Sequence, residues 1–132
     1  MLKKAWEITS NKLKSMNRND RPVFQGDIWL ADLNPSVGRE QSGFRPVVIV
    51  SGNMLNNYMP LVFAVPLTTK IKYYKGNPIL LPSQENGLSK KSEILVFQIR
   101  SISKNRLKER TGKVKQVEID RMIRTLNDLL TY

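Results

Sequence analysis

The sequence predicts an α+β protein, mainly β, in which a small curved antiparallel sheet or barrel is followed by a C-terminal helix. Short apolar, β-branched runs recur between turn residues, a spacing typical of small barrels. The last part of the chain instead carries apolar residues at helical spacing. A length of 132 residues favours a single domain.

The N-terminal segment predicts a separate, basic helix. Apolar residues in 2–17 follow a loose helical pattern flanked by lysines. Arg21-Pro22 ends this pattern, because the residue before a proline disfavours the α conformation. We therefore divide the chain into a basic helical extension over residues 1–24 and one barrel-like domain over residues 25–132.

Short apolar runs separated by turn residues predict the strands. After its proline, Pro46–Val50 is β-branched throughout, which is typical of a strand buried on both faces. Pro66 follows another run, and since proline donates no ladder hydrogen bond, we predict an edge or a bulge there. The predicted strands are Gly26–Leu33, Pro46–Val50, Leu61–Val65, Ile79–Leu81 and Ile94–Phe97.

Beyond Arg100 the pattern becomes helical. Ser103 has the residue type of an N-cap, so we predict a helix over residues 104–109, with Gly112 in a short connection. A second helix follows, and we expect its apolar stripe to pack on the core. That stripe consists of Ile119, Met122, Ile123, Leu126 and Leu130.

The charge balance points to a polyanionic partner. The chain has 22 Lys and Arg against 11 Asp and Glu, a net charge of +11 and a pI near 10.1. The excess of positive charge lies near the two ends of the chain. Residues 1–24 contain six basic and two acidic residues, and residues 100–124 contain nine basic and three acidic residues. Nucleic acid is the leading partner at such a pI. A membrane-surface helix is the rival interpretation, and the weak amphipathicity of the N-terminal segment disfavours it.

The residues that are missing exclude many kinds of site. With no Cys and no His, the chain has no disulfide, zinc finger, iron–sulfur site, thiol nucleophile or catalytic imidazole. No run approaches the roughly 20 apolar residues of a membrane helix, and no continuous signal-peptide core is present, so we expect a cytoplasmic protein. Arginine, lysine, carboxylate, hydroxyl and amide groups remain for chemistry.

Polar residues converge if the strands near 26–33, 44–51 and 61–68 form an antiparallel meander. One end of the sheet then collects the loop Asn34–Gly43, Arg45 and Thr68-Thr69-Lys70. A fixed guanidinium and a hydroxyl suit the charge that develops when an RNA 2′-hydroxyl attacks its own phosphate, with no metal needed. The alternative is an ordinary surface arginine beside β-forming threonines.

Three motifs in order carry a family resemblance. The chain resembles the MazF/PemK-type toxins of bacterial toxin–antitoxin systems from about residue 25 to residue 130. The motifs are Gly26–Pro35 with Val37–Val50, then Val65–Thr69, and finally Ser92–Ile102 with Asn105–Leu107.

The resemblance implies an SH3-like barrel of the CcdB/MazF type with appended helices, acting as a homodimer. It implies a sequence-selective endoribonuclease that cleaves single-stranded RNA without a metal or cofactor. The products expected from the family are a 2′,3′-cyclic phosphate and a 5′-hydroxyl, and a cognate antitoxin neutralises the enzyme.

The resemblance also implies site residues. Arg45 matches the family's arginine before proline, a general acid or transition-state stabiliser, and Thr68 matches its phosphate-orienting threonine or serine. Glu40, Gln41, Thr69 and Gln98 lie at positions that resemble the family's substrate contacts. Lys70 joins the candidate RNA-binding residues because it lies at the predicted convergence of strand ends, and Glu40 is also the candidate acid/base.

Two departures leave the general base open. Phe97 stands where some relatives carry an acidic residue, and Phe44 where some carry histidine. The alternatives are therefore a non-enzymatic toxin of the same fold, either a gyrase inhibitor like CcdB or an RNA-binding module without cleavage. A third class is a module regulated by an acidic antitoxin tail in the RNA groove. We expect the loops Asn34–Gly43 and Lys70–Lys75 to set the cleavage motif.

Overall fold

A computed structural model describes residues 21–34, 38 and 43–132 as a curled antiparallel sheet with a C-terminal helix, as the sequence predicts. The helices are α1 (Asn53–Tyr58) and α2 (Gln116–Thr131), and two 3₁₀ helices span Val96–Gln98 and Lys104–Arg106. In chain order the strands are β1 (Asp27–Asp32), β2 (Phe44–Ile49), β3 (Leu61–Thr68), β4 (Ile79–Leu80), β5 (Ser92–Ile94), β6 (Arg100–Ser103) and β7 (Leu107–Lys113).

The predicted meander of the first three strands is confirmed. β1 pairs antiparallel with β2, with Trp29 opposite Val47, and β2 pairs antiparallel with β3, with Val47 opposite Pro66. The strand order is β4-β5-β3-β2-β1-β7, and β6 also pairs with β3. This topology brings the end of β1, the start of β2 and the end of β3 to one end of the sheet.

Pro66 lies at a change of partner rather than at an edge of the sheet. On one side of β3, pairing with β6 ends at Ala64 and pairing with β5 begins at Leu67. The Pro66 carbonyl faces this junction, where it accepts the Leu95 N–H at 2.9 Å. Because the N–H and C=O of one residue point the same way, the missing N–H also faces the junction. Of the two predicted alternatives, an edge or a bulge, the edge is wrong, and an interruption of the ladder between Ala64 and Leu67 accommodates the proline.

Two apolar clusters use opposite faces of the central strands, since side chains alternate along a strand. The first cluster packs the sheet against α2 through Ile28, Val48, Val65, Leu67, Leu80, Ile94, Val96, Ile119 and Met122. The second contains Val23, Trp29, Ala31, Val47, Ile49, Val62, Ala64, Ile102 and Leu107.

Only part of the predicted stripe on α2 enters the core. Ile119 and Met122 are buried and Leu126 packs against them, whereas Ile123 and Leu130 are 47% and 85% exposed. Ile123 and Leu130 follow the helical period, but the sheet covers a narrower face of α2 than the predicted stripe occupies, and it does not cover the last turn. The prediction is therefore wrong for Ile123 and Leu130.

The predicted helix over residues 104–109 is also wrong. Ser103 does cap a turn, with its Oγ accepting the Asn105 N–H at 3.3 Å, but that 3₁₀ turn ends at Arg106. Residues from Leu107 onward form β7, because pairing with β1 overrides their local helical preference. The predicted strand Ile94–Phe97 likewise ends at Ile94 and continues as a 3₁₀ helix.

The predicted helix over residues 2–17 lies outside the described residues. From Arg21 onward the chain packs on the sheet: the Arg21 guanidinium lies 4.8 Å above the Trp29 ring and donates to the carbonyls of Leu107 and Lys108. Within the described ranges, no helix has the length and apolar character needed to cross a membrane.

Candidate active site

A cleft of about 480 Å³ opens where the ends of the central strands meet. Its walls come from β2, the end of β3, the loop that follows β3, and the 3₁₀ helix after β5. The lining residues are Arg45, Thr68, Lys70, Lys72, Tyr74, Leu95, Phe97 and Gln98.

Strand register brings Arg45 and Thr68 into this cleft together. Arg45 is half-buried and lies opposite Ala31 of β1. On its other side, the register that sets Val47 against Pro66 places Arg45 against Thr68 when it is continued by two residues. Both residues line the cleft, so a guanidinium and a hydroxyl converge there from neighbouring strands.

Thr68 is buried, with 6% of its surface exposed, and a hydrogen bond fixes the position of its hydroxyl oxygen. That oxygen accepts the Lys70 N–H at 3.1 Å, which also turns the chain after β3. Among the described residues, the hydroxyl donates to no other group. Thr68 can therefore offer its proton to a ligand in the cleft.

The cleft is strongly cationic. Arg45, Lys70 and Lys72 line it, and no carboxylate occurs among its described lining residues. Three cations around one opening suit a phosphodiester backbone, because guanidinium and ammonium groups bind phosphate through charge-assisted hydrogen bonds. In the described part of the chain, no cluster of three acidic side chains forms a metal-ligand set.

A buried carboxylate fixes the loop that carries Lys72 and Tyr74. Glu93 on β5 is fully buried and is the cross-strand partner of Thr68. Its oxygens accept the backbone N–H groups of Lys72, Tyr73 and Tyr74 at 2.7, 3.1 and 2.9 Å. Tyr73 has a left-handed φ of 57°, which lets three consecutive N–H groups turn toward one carboxylate.

Hydrogen bonds hold Glu93 in its charged form. Burial alone raises the pKa of this carboxyl, but the bonds from the Asn77 side chain and from three backbone N–H groups outweigh burial. The pKa of Glu93 therefore lies below its ordinary value. The negative charge is directed at the loop backbone and does not line the cleft.

Two aromatic rings form part of the cleft wall. Tyr74 and Phe97 meet edge to face, with ring centroids 5.4 Å apart and an interplanar angle of 86°. They come from different elements, the loop after β3 and the 3₁₀ helix after β5. Each remains about half exposed, at 51% and 48%.

The structure brings together four of the residues proposed from the sequence, namely Arg45, Thr68, Lys70 and Gln98. Thr69 is exposed and is not among the cleft-lining residues. Glu40 and Gln41 lie outside the described residues.

From the sequence, Lys72 and Tyr74 are predicted only as members of the loop Lys70–Lys75 that sets the cleavage motif, and Glu93 has no predicted role. One signal was available: residues 70–75 interleave lysine with tyrosine, a pattern typical of surfaces that bind single-stranded nucleic acid. From the sequence, Phe97 is a departure from a family motif and has no predicted binding role. Glu93 gave a weaker signal, a lone acidic residue beside the apolar run from Ile94 to Phe97.

Comparisons with known proteins agree with this architecture. A family model for the PemK-like, MazF-like toxin of type II toxin–antitoxin systems matches residues 24–130. An endoribonuclease MazF of Staphylococcus saprophyticus is 42% identical over 87 residues, covering 65% of this chain and 72% of its own. An endoribonuclease MazF of Staphylococcus epidermidis is 38% identical over 102 residues, which cover 74% of this chain and 85% of the relative's own length.

Solved structures share the fold. A MazF from Deinococcus radiodurans superposes with a TM-score of 0.71 at 26% identity, covering 86% of this chain and all of its own. A MazE–MazF complex from the same organism gives a TM-score of 0.68 at 26% identity, covering 84% and 97%.

Proposed function

The chain belongs to the PemK-like, MazF-like toxins of type II toxin–antitoxin systems, and from this premise we propose that it is a sequence-selective endoribonuclease that cleaves single-stranded RNA without a metal ion. One observation carries the proposal: Arg45 and Thr68 enter a cationic cleft from adjacent strands. The Staphylococcus relatives, named as endoribonucleases, support it.

The reaction is an internal displacement at phosphorus. The RNA 2′-oxygen attacks the adjacent phosphate, its proton passes to a base, the bond to the 5′-oxygen breaks, and that oxygen takes a proton. The products are a 2′,3′-cyclic phosphate and a 5′-hydroxyl. Arg45 stabilises the charge on the phosphoryl oxygens or protonates the leaving oxygen, and Thr68 donates to a phosphoryl oxygen. Removing one such donor typically costs about 10²–10³ in rate.

We assign the base to the loop between β1 and β2. This loop is closed at its foot, where Leu33 donates to the Gly43 carbonyl at 2.9 Å and Gly43 donates to Asn34 Oδ1 at 3.0 Å. These two bonds join the described ends of the loop, and Gly43 lies two positions before Arg45. Glu40 is the candidate base, and Gln41 the candidate RNA contact, on this loop.

A second function is favoured by one observation. No carboxylate occurs among the described residues that line the cleft, and Phe97 is there instead. A cationic, aromatic cleft without a base binds single-stranded RNA and leaves it intact. The two functions differ in whether bound RNA is cut.

We propose that a cognate antitoxin and a second copy of the chain are the protein partners. The MazE–MazF complex of the Deinococcus relative supports the first. A net charge of +11 favours fast, salt-sensitive association with an acidic segment, which we expect to compete with RNA. Simultaneous binding of both at full affinity would contradict a shared groove. The proposed substrate places the protein in the cytoplasm.

Exposed apolar residues on β3 support the proposed homodimer. The face that buries Val65 and Leu67 leaves Leu61 and Phe63 exposed, at 41% and 40%. Sedimentation equilibrium of the full chain should give the mass of two chains, and Phe63→Glu should lower it to one. A monomeric mass for the unmodified chain would contradict the proposal.

The test of the proposed function is end analysis of a defined single-stranded RNA incubated with the protein and a chelator. We expect cuts at a recurrent sequence, 5′-hydroxyl ends that polynucleotide kinase labels directly, and cyclic phosphates at the 3′ ends by mass spectrometry. Phosphate at the 5′ ends would contradict the mechanism. RNA that is bound but uncut would establish the second function.

A further inference from the structure

The cleft contains an aromatic surface for which the cleavage chemistry has no use. Tyr74 and Phe97 lie edge to face, and each keeps about half of its surface exposed. Both line the cleft that holds Arg45 and Thr68. Other rings, such as Phe24, are equally exposed, so what distinguishes this pair is that the two rings touch each other inside the cleft.

One hydrogen-bond network connects the two backbone segments that carry the rings. Glu93 accepts the Tyr74 N–H at 2.9 Å and the Asn77 side-chain amide at 3.0 Å. The oxygen of the same Asn77 amide accepts the Val96 N–H at 3.2 Å, beside Phe97. Val96 is itself fully buried in the first apolar cluster. A buried carboxylate therefore fixes the backbone that carries Tyr74 and the backbone next to Phe97, while both rings stay half exposed.

The electrostatic setting identifies the class of ligand. Lys70, Lys72 and Arg45 line the same cleft as the two rings. Cations that follow a backbone, beside exposed rings, are the arrangement by which proteins bind single-stranded nucleic acid. Unpaired bases stack on aromatic side chains, whereas bases within a duplex are not accessible for such stacking.

We propose that Tyr74 and Phe97 form a platform on which one unpaired base of the RNA stacks, while neighbouring phosphates lie against Arg45, Lys70 and Lys72. This inference rests on the proposed function and adds a binding site for a base to it. The platform sets the position of one nucleotide relative to the phosphate at Arg45 and Thr68. It thus ties the place of cleavage to a fixed step along the strand.

The test measures binding of an RNA that cannot be cut, because a 2′-O-methyl group replaces the attacking hydroxyl. Phe97→Leu keeps apolar bulk but removes the ring, Phe97→Trp restores a ring, and Tyr74→Ala removes the other half of the platform. Phe24→Ala is the matched control, since Phe24 is 51% exposed and is not among the residues lining the cleft.

We expect Phe97→Leu and Tyr74→Ala each to raise the Kd for this RNA by roughly 5- to 150-fold, the range of single base–aromatic stacks. Phe97→Trp should recover affinity relative to Phe97→Leu, and Phe24→Ala should bind as the unmodified chain does. Equal Kd values for Phe97→Leu and the unmodified chain would overturn the platform.

A scan with abasic nucleotides locates the stacked base. In the unmodified chain, one abasic position should raise the Kd by a factor similar to that of Phe97→Leu. In Phe97→Leu the same abasic position should have little further effect, because the two changes remove one interaction. If the increase in Kd from Phe97→Leu multiplies the increase from the abasic nucleotide at every position of the RNA, the platform is overturned.

Cleavage of the matched all-ribose RNA, with chelator present, separates this inference from the proposed function. If the unmodified chain cleaves and Phe97→Leu binds normally, the platform is wrong and the endoribonuclease proposal stands. If binding depends on Phe97 but the RNA stays intact, the platform stands and the cleavage proposal is wrong. Absence of RNA binding by the unmodified chain overturns both.

Discussion

Asn77 and Glu93 are joined by a hydrogen bond of 3.0 Å from the Asn77 amide nitrogen to the buried carboxylate. The same carboxylate accepts the N–H groups of Lys72, Tyr73 and Tyr74, and so holds the loop that carries them. The oxygen of the Asn77 amide accepts the Val96 N–H of the 3₁₀ helix. Hydrogen bonds through Glu93 and Asn77 thus connect the loop and the 3₁₀ helix that form two walls of the cleft. The shape of the cleft consequently depends on Glu93, which does not line it.

Replacing Glu93 with Gln should destabilise the fold by about 1–3 kcal/mol at pH 7. The amide offers one acceptor oxygen where the carboxylate has two, and its NH₂ group faces N–H donors that lose their partner. Urea unfolding measures the difference. Glu85→Gln is the control, since Glu85 is exposed and its substitution should change stability little.

The loss of unfolding free energy caused by Glu93→Gln should depend on pH. Because the folded-state pKa of Glu93 lies below its ordinary value of 4.5, the charged carboxylate stabilises the fold above that pH, and the stabilisation fades as the pH falls through the folded-state pKa. The gap in unfolding free energy between the unmodified chain and the variant should therefore narrow below pH 4.5. A gap that stays constant or widens on acidification would contradict this assignment.

Thr68 offers a test of hydroxyl donation. Thr68→Val keeps the side-chain shape but removes the hydroxyl, and we expect cleavage under single-turnover conditions to slow by about 10²–10³-fold. Thr68→Ser should recover most of the rate. The lost acceptor for the Lys70 N–H should also cost about 1 kcal/mol of stability, measured by urea unfolding. Equal rates for the Val and Ser variants would remove Thr68 from the mechanism.

The lysines of the cleft should bind the RNA backbone. Lys70→Ala and Lys72→Ala should each reduce the slope of log K against log salt concentration by about 0.7, the value for one phosphate contact on a single strand. Fluorescence anisotropy across a salt series measures this slope. Lys108 is an exposed residue of β7 that is not among the cleft-lining residues, and Lys108→Ala should leave the slope unchanged. An equal reduction in all three variants would indicate that net charge alone attracts the RNA.

The sequence predicts the meander and its converging ends because those features have local causes. Apolar runs and turn residues define β1 to β3, and antiparallel order then brings Arg45 close to Thr68. Thr68 is the last residue of β3 and lines the cleft, whereas Thr69 lies just beyond the strand and is exposed. The end of the strand decides between the two threonines, and the sequence does not show that boundary.

The parts that could not be predicted have distant causes. β7 pairs with β1, so Leu107 lies opposite Ala31 in spite of a charged, helix-like local sequence. The loop carrying Lys72 takes its shape from Glu93, 21 residues further along the chain. No local pattern reveals which carboxylate will be buried against a given loop.

The most direct test of the central claim is single-turnover cleavage of one defined single-stranded RNA, with chelator present, by the unmodified chain and by Arg45→Ala and Arg45→Lys. We expect Arg45→Ala to abolish detectable cleavage. The cleavage rate of Arg45→Lys should lie between those of the unmodified chain and Arg45→Ala, because lysine keeps the charge but lacks the planar pair of N–H donors. Circular dichroism and melting temperature establish that the variants fold. Undiminished cutting by folded Arg45→Ala protein would contradict the account.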